Sequence, residues 1–465
     1  MQDLKHLVKK KKLFSFSTWF KARTAGNTFN ALKETKERKS RLRVLLPVIA
    51  LVLAAYPLAS LVKMVTPKLF QLKKHYIVKP GNAAHVYDNY QSFRLAAEHL
   101  HGSTKQEGNR LAASPPGGIS LYFTIDPTLQ ENVFNYMTEM QVPYGAFVAI
   151  EPKTGRVLAL TGYSTMDPAW DGMSCFRLYP MASLFKIITA SAALEQKQVE
   201  PETMFAFRGY SYSENPRAWV VKPGQSGQQM QLAQAMGKSI NPVFGRLASD
   251  VVGRENIMNY AQRFGFNQTL FPGTQVQPSR ATTPQDDLEL KLMGAGLGRE
   301  VKISPLHAAV MMAALANHGT MMAPILAQEI RDRDNNLLFA EKPTSIRRLV
   351  TQETASQLTR MLQTTVTSGT SRKAFHDRRG RPKLASVSIA AKTGSIDGKE
   401  PEGRYTWFAA YAPVEDPKIA IVALVINQDR WKIKAAHLGE HALELFFAEE
   451  AGRRQALGPA RSGVR

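Results

Sequence analysis

Cysteine is almost missing from this chain of 465 residues. Cys175 stands alone, so no intramolecular disulfide can staple the fold. It lies eight residues before Ser183 with no histidine near it in sequence, and it reads as a small, partly buried apolar side chain rather than a reactive thiol. Paired metal ligands are equally scarce. Of the ten histidines, His99/His101 fall in a polar linker, while His437/His441 have helical spacing but no accompanying carboxylate motif of the zinc-enzyme type; neither a metal nor a cofactor is expected. Acidic residues are short as well: 38 Asp and Glu oppose 60 Lys and Arg, a formal net charge of +22. Such an excess suits nucleic acid, an anionic membrane surface or an acidic polymer, so its distribution decides.

Nearly half of the surplus sits in the first 43 residues, where thirteen Lys or Arg face three acids. The run Lys9-Lys10-Lys11-Lys12, followed by Leu13, Phe14, Phe16, Trp19 and Phe20, fits a tail resting on anionic lipid. A nucleic-acid arm is the rival reading, but no base-reading module accompanies it and no nucleic-acid partner is expected. Residues 44–62 carry no charge between Arg43 and Lys63. As a helix rising about 1.5 Å per residue they would reach about 28 Å, close to the hydrocarbon thickness of a bilayer. Pro47 and Pro57 would kink that helix without forbidding it. A leader of 43 residues is far longer than signal peptides use, so the span reads as an uncleaved, single-pass anchor. The flanks orient it weakly, with six Lys or Arg in the twenty residues before and five in the twenty after. The long basic tail, taken together with the chemistry of the motifs, leads us to expect residues 1–43 in the cytoplasm and the large C-terminal part outside.

Residues 63–119 are mixed and basic, a membrane-proximal module ending in the linker signal Ser114-Pro-Pro-Gly-Gly118. A larger domain over 120–452 opens with the apolar strand Leu121-Tyr-Phe-Thr-Ile125, and Asp126 can cap a helix running through Leu129 and Val133. Phe147–Ile150 and Val157–Leu160 flank Lys153-Thr-Gly155, with Pro152 just before it, which is hairpin chemistry. A helix starts near Ser183 and is apolar almost all round over Ile187–Leu194, hence buried. From about 230 to 370 the reading is mainly helical. Val387–Ala391, Tyr405–Tyr411 and Ile419–Ile426 then read as strands, a helix covers 434–450, and 453–465 form a basic flexible tail. Two early strands and three late ones imply an α/β (α+β) fold in which one antiparallel sheet is covered by helices.

Three ordered motifs carry the chemistry: Ser183-Leu-Phe-Lys186, Ser239-Ile-Asn241 and Lys392-Thr-Gly-Ser395. Each has a copy elsewhere in a setting without a pocket: Ser60-Leu-Val-Lys63 at the end of the apolar span, Ser213-Glu-Asn215 in a tyrosine-rich loop, and Lys153-Thr-Gly155 in the hairpin turn. A serine hydroxyl attacks a carbonyl only when a base takes its proton. Ser183 and Lys186 are three apart, so a helix projects them onto one face. A lysine titrating near about 10.4 is protonated at neutral pH, so its surroundings must lower it, through burial or a second cation such as Lys392. The Ser183 N–H at a first helical turn can serve an oxyanion, with the Ser395 N–H as its second donor. Thr393, Gly394 and Ser395 can pair a peptide by strand addition, Gly394 keeping the edge clear. The Ser239 hydroxyl can relay a proton to a leaving group, and the Asn241 amide can hold a substrate amide. A plainer reading makes Ser239 a helix N-cap, with Asn241 and Pro242 starting the next helix; both can hold at once.

On these residues the chain resembles a penicillin-binding protein in its serine transpeptidase domain. The likeness extends to Leu121-Tyr-Phe-Thr-Ile-Asp-Pro-Thr-Leu-Gln130, Gly145-Ala-Phe-Val-Ala-Ile-Glu-Pro-Lys-Thr-Gly-Arg156, Ser304-Pro-Leu-His307 and Trp407-Phe-Ala-Ala-Tyr-Ala-Pro413, covering about 120–450. The resemblance implies a β-lactamase/transpeptidase-like fold with an all-helical subdomain inserted, on the outer side of a bacterial inner membrane. It also implies peptidoglycan D,D-transpeptidation: Ser183 attacks the penultimate D-Ala carbonyl of a stem peptide, D-Ala leaves, and a neighbouring stem's amine takes the acyl group. Lys186 is then the base, Ser239 the relay, Asn241 a substrate contact, and Lys392 the charge facing the substrate carboxylate; β-lactam antibiotics acylate the same serine. The 57 residues between span and domain are too few for a glycosyltransferase, so that activity belongs to a membrane partner. Two departures stand out: Met181-Ala182 where the family often has Pro-Gly, and Leu297 where it often has Gln. A serine β-lactamase is disfavoured by the anchor, the wide gap from Ser239 to Lys392 and the lack of a Glu-Xaa-Xaa-Leu-Asn motif. A non-enzymatic β-lactam sensor or scaffold is the third reading, and a sensor would carry more spans and a signalling domain.

Overall fold

The computed structural model describes residues 86–100, 104–221, 224–428 and 431–457. The basic tail, the 44–62 span, the Ser60-Leu-Val-Lys63 copy, residues 64–85 and 101–103 of the membrane-proximal stretch, and residues 458–465 lie outside the described residues. Among the described residues, no helix is long and apolar enough to cross a membrane.

The early hairpin is strand β1 (Tyr144–Ile150) and strand β2 (Val157–Tyr163), and the late strands are β3 (Ala390–Lys399), β4 (Glu402–Ala412) and β5 (Ile419–Asn427). They form one antiparallel sheet in the order β3-β4-β5-β1-β2, with Val148 of β1 opposite Val422 of β5. The sheet is thus closed from both ends of the domain, as its two early and three late strands require. All nine residues of β5 are buried, which is why its apolar run is unbroken rather than alternating. The turn at Lys153-Thr-Gly155 holds Gly155 at φ +85°, and a Cβ there would lie 2.1 Å from the Ala323 carbonyl oxygen.

Alternation along β1 sends Phe147 and Ala149 to one face and Val148 and Ile150 to the other, each into its own core. The first face is covered by helix α1 (Pro127–Glu139), whose N-cap Asp126 accepts from the Leu129 N–H, and by the C-terminal helix Ala435–Leu457. The second is covered by helix α2 (Lys186–Glu195) and by Pro305–Ala316, in which every residue is buried.

The 230–370 region is less helical than its sequence suggests. Short strands occupy Thr320–Met322, Ala327–Arg331, Leu337–Ala340 and Ser345–Arg348. Ala327–Arg331 pairs with Ser120–Phe123, about two hundred residues earlier, inside a second five-stranded sheet. Pairing over that separation leaves no local pattern to read. The Ser114–Gly118 stretch likewise connects two strands of this sheet, Ala113 pairing with Leu121, so residues on both sides of it share one folded layer. The inserted subdomain is mainly helical but also carries a two-stranded ribbon, Met204–Phe207 with Gln228–Gln231.

Candidate active site

Ser183 lies in a 3-10 turn, Ala182–Phe185, and the α-helix proper begins at Lys186 rather than at the serine. The tighter turn follows from Ala182, whose φ of +53° folds the chain sharply into the helix. An alanine in the left-handed region carries strain of about 1 kcal/mol, and it sits where the resemblance leads one to expect glycine. Packing enforces it: Gly296, at φ +71°, leaves room for the Ala182 carbonyl, which a Cβ would approach to 2.4 Å.

The three-residue spacing brings Lys186 Nζ to 2.7 Å from Ser183 Oγ. The same nitrogen lies 2.8 Å from Asn241 Oδ1 and 2.5 Å from the Ala295 carbonyl oxygen, and the side chain is fully buried. Both latter atoms only accept, so the amine must donate to each. A neutral amine has two N–H groups for those two acceptors and one lone pair left for the Ser183 hydroxyl proton. Burial, reinforced by the charge of Lys392, holds the Lys186 titration well below that of an ordinary lysine. The geometry accommodates an unprotonated amine that can act as a base, and the lowered titration favours that form.

Ser239 is the C-cap of helix α3 (Leu232–Lys238), in the left-handed region at φ +56°. The N-cap reading fails, because helix α4 (Asn241–Arg246) starts after Ile240 with no side-chain cap. A left-handed residue is what reverses a chain between two helices, and it leaves the hydroxyl unused by the backbone. Pro242 does stand in the first turn of α4. Lys392 Nζ donates to Ser239 Oγ at 2.8 Å and to the Thr393 carbonyl at 2.8 Å, and burial pulls its titration down to about 7. Two lysines thus each attend one serine. Asn241 lines the cleft and also joins its walls, its Oδ1 facing Lys186 and its Nδ2 donating to the Ser213 carbonyl at 3.3 Å.

Thr393, Gly394 and Ser395 lie on β3, the edge strand of the main sheet. A side chain at Gly394 would stand 3.1 Å from Ala182 Cβ and 3.4 Å from the Ser183 nitrogen, so the strand edge runs directly past the nucleophile. These residues, with Ser183, Ser239 and Asn241, line a cavity of about 320 Å³.

Sequence reasoning missed several neighbours. The Thr370 hydroxyl bonds that of Thr393, and Tyr212, Glu214, Arg404, Trp431 and Lys434 also line the walls, as does Leu297. Thr370 belongs to the unremarkable polar run Ser368–Ser371, and the Ala295 carbonyl has no letter of its own, so no sequence signal marks either. Ser213-Glu-Asn215 is a loop, as expected, yet it forms part of the cleft wall. Cys175 is fully buried near the Phe147 and Thr161 carbonyls, and burial pushes its thiol up to about 12. His441 stacks on Tyr136 with centroids 4.0 Å apart, and His437 Nδ1 accepts from the Lys434 N–H. Among the described residues, no group of three His, Cys, Asp or Glu is placed to hold a metal.

The family model for the penicillin binding protein transpeptidase domain matches residues 145–441. Peptidoglycan D,D-transpeptidase PbpA of Mycolicibacterium smegmatis is 29% identical over 365 residues, 70% of this chain and 72% of that protein. Stage V sporulation protein D of Bacillus subtilis is 26% identical over 347 residues, 67% of this chain but 50% of its own length. The crystal structure of PBPA from Mycobacterium tuberculosis matches with a TM-score of 0.58 at 25% identity, covering 70% of this chain and 81% of that one. Its penicillin G acyl-enzyme complex matches with a TM-score of 0.56 at 24% identity, covering 70% and 80%.

Proposed function

Because the chain belongs to the penicillin-binding protein transpeptidase family, we propose that it is a peptidoglycan D,D-transpeptidase acting through an acyl-enzyme on Ser183. The observation that carries this reading is the Lys186 amine: its two other partners can only accept, so in the unprotonated form that burial favours its lone pair is left to Ser183. Lys186 takes the hydroxyl proton as Ser183 Oγ attacks the carbonyl of the penultimate D-Ala. Charge that builds on the carbonyl oxygen is met by the backbone N–H groups of Ser183 and Ser395. As the tetrahedral intermediate collapses, the C–N bond breaks and the proton passes through Ser239 to the departing D-Ala amine. The acceptor amine then attacks the ester, returning its proton by the same route and freeing Ser183.

Lys392, buried behind the Ser239 hydroxyl, acts on the substrate carboxylate through its charge rather than by contact, Asn241 contacts the substrate amide, and β3 pairs the peptide along its open edge. A β-lactam meets the same serine, and its opened ring remains as an ester. The span at 44–62 would anchor the enzyme in the bacterial inner membrane, with residues 1–43 in the cytoplasm and the catalytic domain outside. A membrane glycosyltransferase would supply the strands to be joined.

Incubation with a fluorescent penicillin tests the assignment. A persistent adduct on Ser183, absent from Ser183→Ala, is the expected result; rapid turnover of the label would sink the transpeptidase reading in favour of a β-lactamase.

A further inference from the structure

One wall of the cleft continues into a basic ridge that the chemistry above does not use. The segment from Ser371 to Lys383 contains six Lys or Arg and one acid, Asp377, and all six cations are exposed. The ridge is built rather than loose. His376 bridges Pro382, the Asp377 carboxylate accepts from the Arg379 and Arg381 N–H groups, and Gly380 takes φ +78° at the bend. Its base is fixed beside the catalytic strand: Phe375 stacks on Phe408 of β4 with centroids 5.4 Å apart, and Thr370, two residues before Arg372, bonds Thr393.

Asp377 is spent on the turn and on Arg381, and Lys383 is paired with Glu440 at 3.1 Å. Arg372, Lys373, Arg378 and Arg379 form no ion pair among the described residues. The ridge also reaches the cleft electrostatically. Lys383 pairs with Glu440 on the C-terminal helix, His437 on the same helix accepts from the Lys434 N–H, and Lys434 itself lines the cavity. Positive charge therefore runs from the cavity wall to the hairpin tip.

We propose that this ridge is a docking site for the wall strand itself, holding the free carboxylates of stem peptides beyond the one being joined. The inference rests on the transpeptidase reading above. A strand threaded through the cleft carries further stem-peptide carboxylates beyond the reacting one, and a cluster of unpaired guanidinium and ammonium groups on a hydrogen-bonded hairpin complements them. Anionic lipid is the competing occupant. The ridge presents no large exposed apolar side chain to enter a bilayer, whereas membrane-resting segments combine both features.

The test uses the full chain in detergent micelles, with Lys373→Glu, Arg378→Glu and Arg379→Glu combined. Binding is measured to uncross-linked wall strands with free carboxylates, to the same strands with those carboxylates amidated, and to vesicles of anionic lipid. The expected result is at least tenfold weaker binding of the free-carboxylate strands by the variant, with binding of amidated strands and the rate of penicillin acylation unchanged. Wild-type binding should also weaken as salt is raised. Unaltered strand binding in the variant overturns the proposal, as does a wild-type preference for the vesicles. If the triple reversal loses penicillin acylation, Arg378→Gln with Arg379→Gln replaces it, with the same reading of outcomes at a smaller fold-change. Failure of the wild type to form a persistent penicillin adduct would instead remove the transpeptidase reading.

Discussion

Two Ser-Xaa-Asn triplets meet at the cleft, and their side chains are put to opposite uses. In Ser213-Glu-Asn215 the serine hydroxyl accepts from Trp219 Nε1 at 3.0 Å, and Asn215 Oδ1 accepts from the Arg217 N–H at 3.2 Å. Both side chains are occupied in holding a loop. In Ser239-Ile-Asn241 the hydroxyl faces Lys392 and the amide oxygen faces Lys186, so both serve the two buried amines. What separates the two triplets is where their hydrogen-bonding capacity goes, and the backbone conformation sets that. Ser239 is left-handed and turns its hydroxyl away from the helix ends; Asn215 caps a short turn of its own.

That contrast can be broken most forcefully at the amine the second triplet supports. Lys186→Ala should slow penicillin acylation by about 10²–10⁴-fold while unfolding stays cooperative, and near-normal acylation would refute Lys186 as the base. Ser239→Gly comes next. Glycine suits φ +56° without strain, so the variant should keep its melting temperature while turnover of a D-Ala-D-Ala peptide falls about 100-fold; a clear drop in stability with normal turnover would make Ser239 structural.

A pH profile sharpens the comparison of the two amines. As the proposed base, Lys186 would react only when unprotonated, and burial together with the charge of Lys392 opposes its protonation. Lys392→Met keeps the bulk and removes the charge, so the Lys186 titration should rise and the ascending limb of acylation should move to higher pH. Stopped-flow acylation across pH decides, and a limb that stays put or moves lower contradicts the coupling. The smallest catalytic effect belongs to the first triplet. Ser213→Ala orphans a buried indole N–H, which should cost about 1–3 kcal/mol in denaturant unfolding yet change acylation less than about threefold. A hundredfold loss would place Ser213 in the chemistry.

The parts of the site written in consecutive letters are legible in the sequence itself. A spacing of three brings Lys186 to Ser183 on any helical turn, and the unbroken apolar run of β5 announces a strand covered on both faces. The parts made by backbone conformation or distant pairing are not. Serine is a common N-cap, so nothing at Ser239 signals a left-handed C-cap. The Ala295 carbonyl is a backbone atom that any residue could supply, and Thr370 meets Thr393 only once the sheet has formed. The Met181-Ala182 departure is visible in the letters, but the strain it stores at the nucleophile appears only with the φ of Ala182.

Cys175, the sole thiol, lies on the turn Gly172–Phe176 that follows β2, sealed against the main sheet. Neither oxidant nor alkylating reagent reaches a sulfur in that position, and little of it is thiolate at neutral pH. The chain thereby carries its own stopwatch. Labelling of that one sulfur can proceed only as fast as the Gly172–Phe176 turn lifts from the main sheet, so its rate records how often that layer opens.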